Sequence, residues 1–168
     1  YKNVYGKEDT LVTIQIDMLL AERFGMYYID ENGEKKLPYI IHRTSLGCYE
    51  RTLALLIEKY AGAFPLWLAP EQARVILISD DQKPYAEEVL RTLKAAGLRA
   101  SLDDRNEKLG FKIREAQLEK LPYMLIVGGK EAETGPVGVR SRKEGDLGAM
   151  TPGAFIEKAA EEIRTKAR

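Results

Sequence analysis

Six residues, Arg74-Val75-Ile76-Leu77-Ile78-Ser79, constrain this chain more than any other stretch. They form a nearly continuous apolar run without alternation, which suits a short central strand covered on both faces. Such a strand needs helices above and below it, and the residues that follow supply them. Residues 84–96 form an amphipathic pattern with Tyr85, Val89, Leu90 and Leu93 inward, and Gly97 stands where a helix C-cap belongs. Residues 98–102 read as a second strand, 107–120 as a second helix, and Tyr123–Val127 as a third strand running into Gly128-Gly129. Val137–Ser141 and residues 146–150 are shorter strands, and Thr151 followed by Pro152 marks the cap and first turn of a last helix. Strands alternating with helices predict an α/β fold in three layers, a sheet flanked by helices. The sheet is expected to be mixed, because the last two strands lie too close in sequence for a crossover helix.

The first third of the chain has a different rhythm. Residues 11–18 (LVTIQIDM) alternate, with Leu11, Thr13, Gln15 and Asp17 on one side and Val12, Ile14, Ile16 and Met18 on the other. That period of two predicts a strand with one polar and one apolar face. Residues 25–30 and 35–42 flank Glu31-Asn32-Gly33-Glu34 and predict an antiparallel pair around a tight turn. From 47 to 63 the pattern is helical: Leu53, Leu56, Ile57 and Tyr60 form a stripe that Ala54 and Leu55 widen, which predicts a largely buried helix. Phe64-Pro65-Leu66-Trp67-Leu68-Ala69-Pro70 then breaks it with two prolines, which places a domain boundary between residues 1–64 and 65–168.

Composition narrows the function classes. Lysine plus arginine equals aspartate plus glutamate at 26 each, so any contact with nucleic acid must come from a local arrangement of basic groups. No run of apolar residues approaches the eighteen that a membrane span needs. Cys48 is the single cysteine and fits a reducing, cytoplasmic compartment. The chain opens at Tyr1, not at a methionine, so a longer parent protein is expected.

Taken singly, the polar residues yield no catalytic centre. His42 is the only histidine, and tetrahedral zinc needs at least three protein ligands. Cys48 reads as a buried structural thiol, and Gly128-Gly129 and Gly135 as isolated turn signals without a phosphate-binding fingerprint. More informative is the stretch from Asp103 to Glu115. As a helix it turns Leu109, Ile113 and Ala116 inward and lines Lys108, Lys112 and Glu115 along another face, with Asn106 as a cap. Arg140 and Arg142 alternate on a later strand and share a face. These groups either read exposed base edges or form a salt-bridged surface beside a basic strand.

Longer motifs carry a resemblance. Ile41-His42-Arg43-Thr44-Ser45-Leu46-Gly47-Cys48-Tyr49-Glu50-Arg51 resembles motif 3 of class II aminoacyl-tRNA synthetases in its threonyl form. Phe64-Pro65-Leu66-Trp67-Leu68-Ala69-Pro70-Glu71-Gln72 is similar to the family's lead-in to its anticodon-binding domain. Asp104-Arg105-Asn106-Glu107-Lys108-Leu109-Gly110-Phe111-Lys112-Ile113-Arg114-Glu115 and Leu121-Pro122-Tyr123-Met124-Leu125 continue in the family's order. The resemblance implies the last strip of a class II catalytic domain, an antiparallel strand, hairpin and helix, ahead of a complete anticodon-binding domain.

It also implies roles. Arg51 would contact the ATP phosphates, with Mg2+ accompanying ATP, and would be the catalytic arginine; Gly47 belongs to the same motif. Thr13 and Gln15 would lie beside the substrate pocket, and His42 would be one of three ligands to a zinc ion that recognises threonine. Asn106, Lys108, Arg114, Glu131 and Arg140 would read the anticodon of threonine tRNA. Motifs 1 and 2, the editing domain and the other two zinc ligands are absent from these 168 residues, so the segment alone is expected neither to hold zinc well nor to activate threonine. The family implies a homodimer at full length. A non-catalytic tRNA-binding module is the alternative, and retention of His42 and Arg51 counts against it. Without the catalytic strands that would cover it, the region 1–63 is expected to be loosely ordered or to self-associate.

Overall fold

A computed structural model describes residues 1–167. The chain divides into two compact units, Tyr1–Lys59 and Tyr60–Arg168. The division precedes the proline-rich break expected to mark it, because residues just ahead of that break are fastened to the second unit. Arg142 Nη2 donates to the carbonyls of Phe64 at 2.7 Å and Ala63 at 3.2 Å, and Lys120 Nζ donates to Ala61 O.

In the first unit, β1 (Ile14–Asp17) pairs antiparallel with β4 (Ile40–Arg43), and β2 (Tyr28–Ile29) pairs with β3 (Lys35–Lys36). A short helix, α1 (Leu20–Arg23), follows β1. The hairpin forms where the Asn-Gly signal puts it. Asp30 Oδ1 accepts from the N–H groups of Asn32 and Glu34, both at 2.9 Å, and Gly33 takes the left-handed conformation at φ +78°. The expected continuous strand over residues 35–42 is instead two strands that belong to different sheets. Pro38 lies between them and has no N–H to give a ladder.

Helix α2 (Tyr49–Tyr60) forms as expected, but none of its residues is buried, against the prediction of a largely buried helix. Leu53 is 53% and Ile57 47% exposed, and the apolar faces of β1 and β4 are equally open at Ile14, Ile16 and Ile41. Ala21 is the only buried side chain among the described residues of this unit. Two two-stranded sheets and two helices offer too little surface to enclose those side chains. The amphipathic patterns are correct; what they would pack against does not lie in this unit.

The second unit has a proper core. Its sheet runs in the order β6-β5-β7-β8-β9, built from β5 (Ala73–Leu77), β6 (Ala100–Asp103), β7 (Tyr123–Val127), β8 (Val137–Ser141) and β9 (Gly145–Met150). The first three strands are mutually parallel and the last two antiparallel, so the sheet is mixed, as the short connection between β8 and β9 requires. Alternate residues divide between two faces. Val75, Leu77, Tyr123, Leu125, Val127, Val137 and Val139 pack with Val89 and Leu93 of α3 (Lys83–Ala95) and with Phe155 and Ala159 of α6 (Pro152–Arg164). Ile76 and Met124 face the other way, against Ala116 of α4 (Leu109–Leu118) and Leu121. Thr151 caps α6, its Oγ1 accepting from Ala154 N–H at 3.2 Å.

Three details depart from expectation. Asn106 does not cap α4: Lys108 is the N-cap, and no side chain caps that end. Lys112 is not on a solvated face but is 1% exposed, with Nζ donating to Leu77 O at 3.1 Å and Asp103 O at 3.4 Å. Gly128-Gly129 is not a bare turn but opens a six-residue helix, α5 (Gly129–Thr134), where Glu131 Oε2 accepts from Gly128 N–H at 3.1 Å. A capping glutamate three residues after a helix-starting residue was the available signal.

Candidate functional site

Register decides what the first unit presents. Gln15 lies opposite His42 and Asp17 opposite Ile40, so Gln15, His42 and Asp17 share one face of the β1–β4 ladder. His42 Nε2 lies 3.2 Å from Asp17 Oδ2. Asp17 Oδ1 accepts from the N–H groups of Leu20 and Leu19, each at 2.9 Å; these bonds, with His42 beside them, hold its carboxyl below the usual range. Thr13 extends the same face, its carbonyl accepting from Thr44 N–H at 3.1 Å and its own N–H donating to Thr44 Oγ1 at 3.1 Å. Arg51, in the first turn of α2, donates from Nη1 to Thr10 O at 2.8 Å and is otherwise exposed. The geometry thus collects Thr13, Gln15 and His42 on one polar surface and ties Arg51 to the chain just before it.

Gly47 makes this arrangement possible. It has φ +67°, and a Cβ there would sit 2.0 Å from the carbonyl oxygen of Leu11. Cys48 corrects its prediction, since its thiol is exposed and donates to Glu50 Oε2 at 2.8 Å.

A zinc ion needs about three protein ligands, and among the described residues no three histidine, cysteine or acidic side chains converge. His42 meets Asp17 alone. The residues present do not by themselves make a zinc site.

In the second unit four of the five expected RNA-facing residues fall into two groups. Asn106 and Lys108 lie in the exposed loop after β6, and Glu131 lies in the helix after β7. Both follow the carboxyl ends of parallel strands, where open α/β sheets place ligand-binding loops. Glu131 is half-buried, with one carboxylate oxygen spent on the helix cap. Arg140 belongs to the other group. It pairs with Met124 across β7–β8 and therefore faces the α4 side of the sheet. There it lines a cavity of about 310 Å³ with Gln117, Leu121, Met124, Ser141, Arg142 and Gly145. Arg114 is exposed on α4, one helical turn before Gln117, and does not line that cavity.

Arg142 lines the same cavity as Arg140, but its guanidinium is already engaged. It follows the last residue of β8 and spends its guanidinium on the carbonyls of Lys120, Ala63 and Phe64. No sequence pattern pointed to Gln117, which the packing of α4 against Ile76 of β5 and Met124 of β7 brings to the cavity that Arg140 lines. The surface therefore offers cations, amides and a carboxylate, a mixture that can donate to and accept from unpaired base edges.

Acid sensitivity should concentrate where β6 meets α4. Asp103 is 5% exposed, and the Arg105 guanidinium bonded to it holds its carboxyl below the ordinary value of 3.8. A depressed carboxyl contributes stability that is complete above its unfolded value and is lost as pH falls through the folded one. The second unit is therefore expected to keep that contribution at pH 5 and above, and to lose it progressively below about pH 4. Arg105→Ala should flatten this acid limb in unfolding curves measured across pH; an unchanged limb would contradict the assignment.

Comparison with known proteins places both units. The family model described as anticodon binding domain matches residues 72–162, and that of the class II tRNA synthetase core domain (G, H, P, S and T) matches residues 1–60. A threonine–tRNA ligase of Clostridium perfringens (strain SM101 / Type A) is 61% identical over 166 residues, covering 99% of this chain and 26% of the relative. One from Clostridium botulinum (strain Eklund 17B / Type B) is 62% identical over 167 residues, with the same coverage. The chain thus spans about a quarter of the length of these curated relatives. The crystal structure of the RNA binding domain of threonyl-tRNA synthetase from Cryptosporidium parvum Iowa II superimposes with a TM-score of 0.77 at 34% identity, covering 95% of this chain and 40% of that one.

Proposed function

The chain belongs to the anticodon-binding-domain family and carries part of the class II aminoacyl-tRNA synthetase core ahead of that domain, and from that premise we propose that it is the C-terminal part of a threonine–tRNA ligase. The parent joins threonine to its tRNA at the expense of ATP. Within it, the second unit reads the anticodon and the first contributes to the threonine and ATP pocket. The observation that carries this is the second unit's division of polar groups: Asn106, Lys108 and Glu131 beyond the parallel strand ends, and Arg140 in a cavity on the α4 side of the sheet.

In the first unit, Thr13, Gln15 and His42 face the amino acid, and His42 supplies at most one ligand to zinc. Arg51 is a fixed cation placed to meet ATP phosphates as charge develops on them during adenylate formation, with Mg2+ accompanying the nucleotide. The exposed apolar faces at Ile14, Ile16, Ile41, Leu53 and Ile57 are those the rest of the catalytic domain covers. The parent works as a cytoplasmic homodimer. No helix among the described residues is long and apolar enough to cross a membrane.

This division of labour has a direct test. The chain alone should bind tRNA yet show no threonine-dependent exchange of pyrophosphate into ATP, while the whole protein shows it. Robust exchange by the chain alone would contradict the assignment of the missing catalytic groups to the rest of the parent.

A further inference from the structure

The loop that carries Asn106 and Lys108 is fastened at its base and free at its tip. Arg105 donates from Nε and Nη2 to the two carboxylate oxygens of Asp103, at 2.9 and 2.7 Å, and its Nη2 lies 2.6 Å from Glu115 Oε2 on α4. The Arg105 N–H also reaches Asp103 Oδ1 at 3.3 Å. One residue earlier, Lys83 of α3 donates to Asp104 Oδ2 at 2.8 Å. Beneath both, the buried Lys112 ammonium holds the backbone carbonyl of Asp103. Three successive residues, Asp103, Asp104 and Arg105, are thus tied to the helices on either side of the sheet.

The next three residues are not. Asn106, Glu107 and Lys108 are exposed, and a bond from Glu107 N–H to Arg105 O at 2.8 Å turns the chain sharply. Among the described residues, the side chains of Asn106 and Lys108 have no partner within the protein. A recognition loop with a rigid base and free tip has met most of its ordering cost before a ligand arrives.

Arg105 is suited to this task by its planar fork, which can engage two carboxylates at fixed angles where an ammonium acts as a point charge. Its side chain is 49% exposed although that of Asp103 is 4%, so its contribution to global stability is modest and is read in the acid limb of unfolding. The larger consequence of the network is geometric.

We propose that Arg105 is the positioning residue of the anticodon-reading loop: by bridging Asp103 and Glu115 it sets where Asn106 and Lys108 meet an unpaired nucleotide, without touching the RNA itself. The proposal rests on the anticodon-reading function of the second unit. Glu115 is its counterpart on α4, and loosening either end lets the loop base move.

The test is a titration of the chain, Arg105→Ala, Arg105→Lys and Glu115→Gln with two anticodon stem-loop RNAs, one bearing a threonine anticodon and one a changed anticodon, over a range of salt. Unfolding followed by Trp67 fluorescence checks that each variant folds. Arg105→Ala is expected to lose about tenfold in preference between the RNAs, the scale of one base contact, while the dependence of affinity on salt stays unchanged. Glu115→Gln should lose part of the preference, and Arg105→Lys should not restore it. If Arg105→Ala weakens both RNAs equally and lowers the salt slope by about one, Arg105 is a phosphate contact and the proposal fails. A preference that survives Arg105→Ala overturns the proposal alone. No preference in the unsubstituted chain overturns both the proposal and the anticodon-reading function on which it rests.

Discussion

Lys112→Ala is expected to destabilise the second unit by about 2–5 kcal/mol, from the emptied space of a long buried side chain together with two backbone acceptors left without their donor. The side chain is 1% exposed, and its ammonium sits where β5 and β6 end, donating to Leu77 O and Asp103 O. Alanine would leave both carbonyls without that donor, empty the space of a long side chain, and withdraw positive charge from the neighbourhood of Asp103. Lys112→Met keeps most of the volume and loses only the donor, so it should cost less, about 1–3 kcal/mol. Trp67 is the only tryptophan and lies in the second unit, so its fluorescence follows this unit in urea. A loss below about 1 kcal/mol for alanine would show that the buried ammonium contributes little beyond an ordinary hydrogen bond.

Gly47→Ala should have a comparable effect on the first unit. The left-handed conformation at φ +67° costs a non-glycine residue about 1–2 kcal/mol, and a Cβ 2.0 Å from a backbone oxygen adds a clash that no rotamer can relieve. The neighbour is the carbonyl of Leu11, just ahead of β1, so the backbone must separate there. The expected result is accelerated amide exchange at Thr13 and Thr44, whose bonds close that end of the ladder, with the second unit unaffected. Retained protection at both amides would mean that the close approach at Gly47 is dispensable.

What was legible in the sequence follows from the distance over which each property is decided. Strands β7 and β8 fall where their apolar runs put them, and Thr151 caps α6, because a short run or a cap depends on residues within a turn of itself. Lys112 was misread because helical spacing places it on the same stripe as Glu115, and only the ends of β5 and β6, distant in sequence, give its ammonium acceptors. The exposed stripe on α2 is the opposite case, a correct pattern without its partner surface. Pro38 should have divided residues 35–42, since one imino nitrogen suffices to interrupt a ladder. At the candidate site, motif resemblance supplied residues that spacing alone could not rank. The structure added the register that joins Gln15 to His42, the backbone carbonyls that engage Arg142 but not Arg140, and the clamp at Arg105.

The second unit is expected to distinguish anticodons, and its affinity for two tRNAs decides whether it does. The chain and its Arg140→Ala variant should be titrated, at one fixed salt concentration, with threonine tRNA and with the same tRNA carrying a changed anticodon. Binding of the native anticodon should be at least about tenfold tighter, a difference that Arg140→Ala largely erases. Equal affinity of the unsubstituted chain for both tRNAs would contradict this expectation.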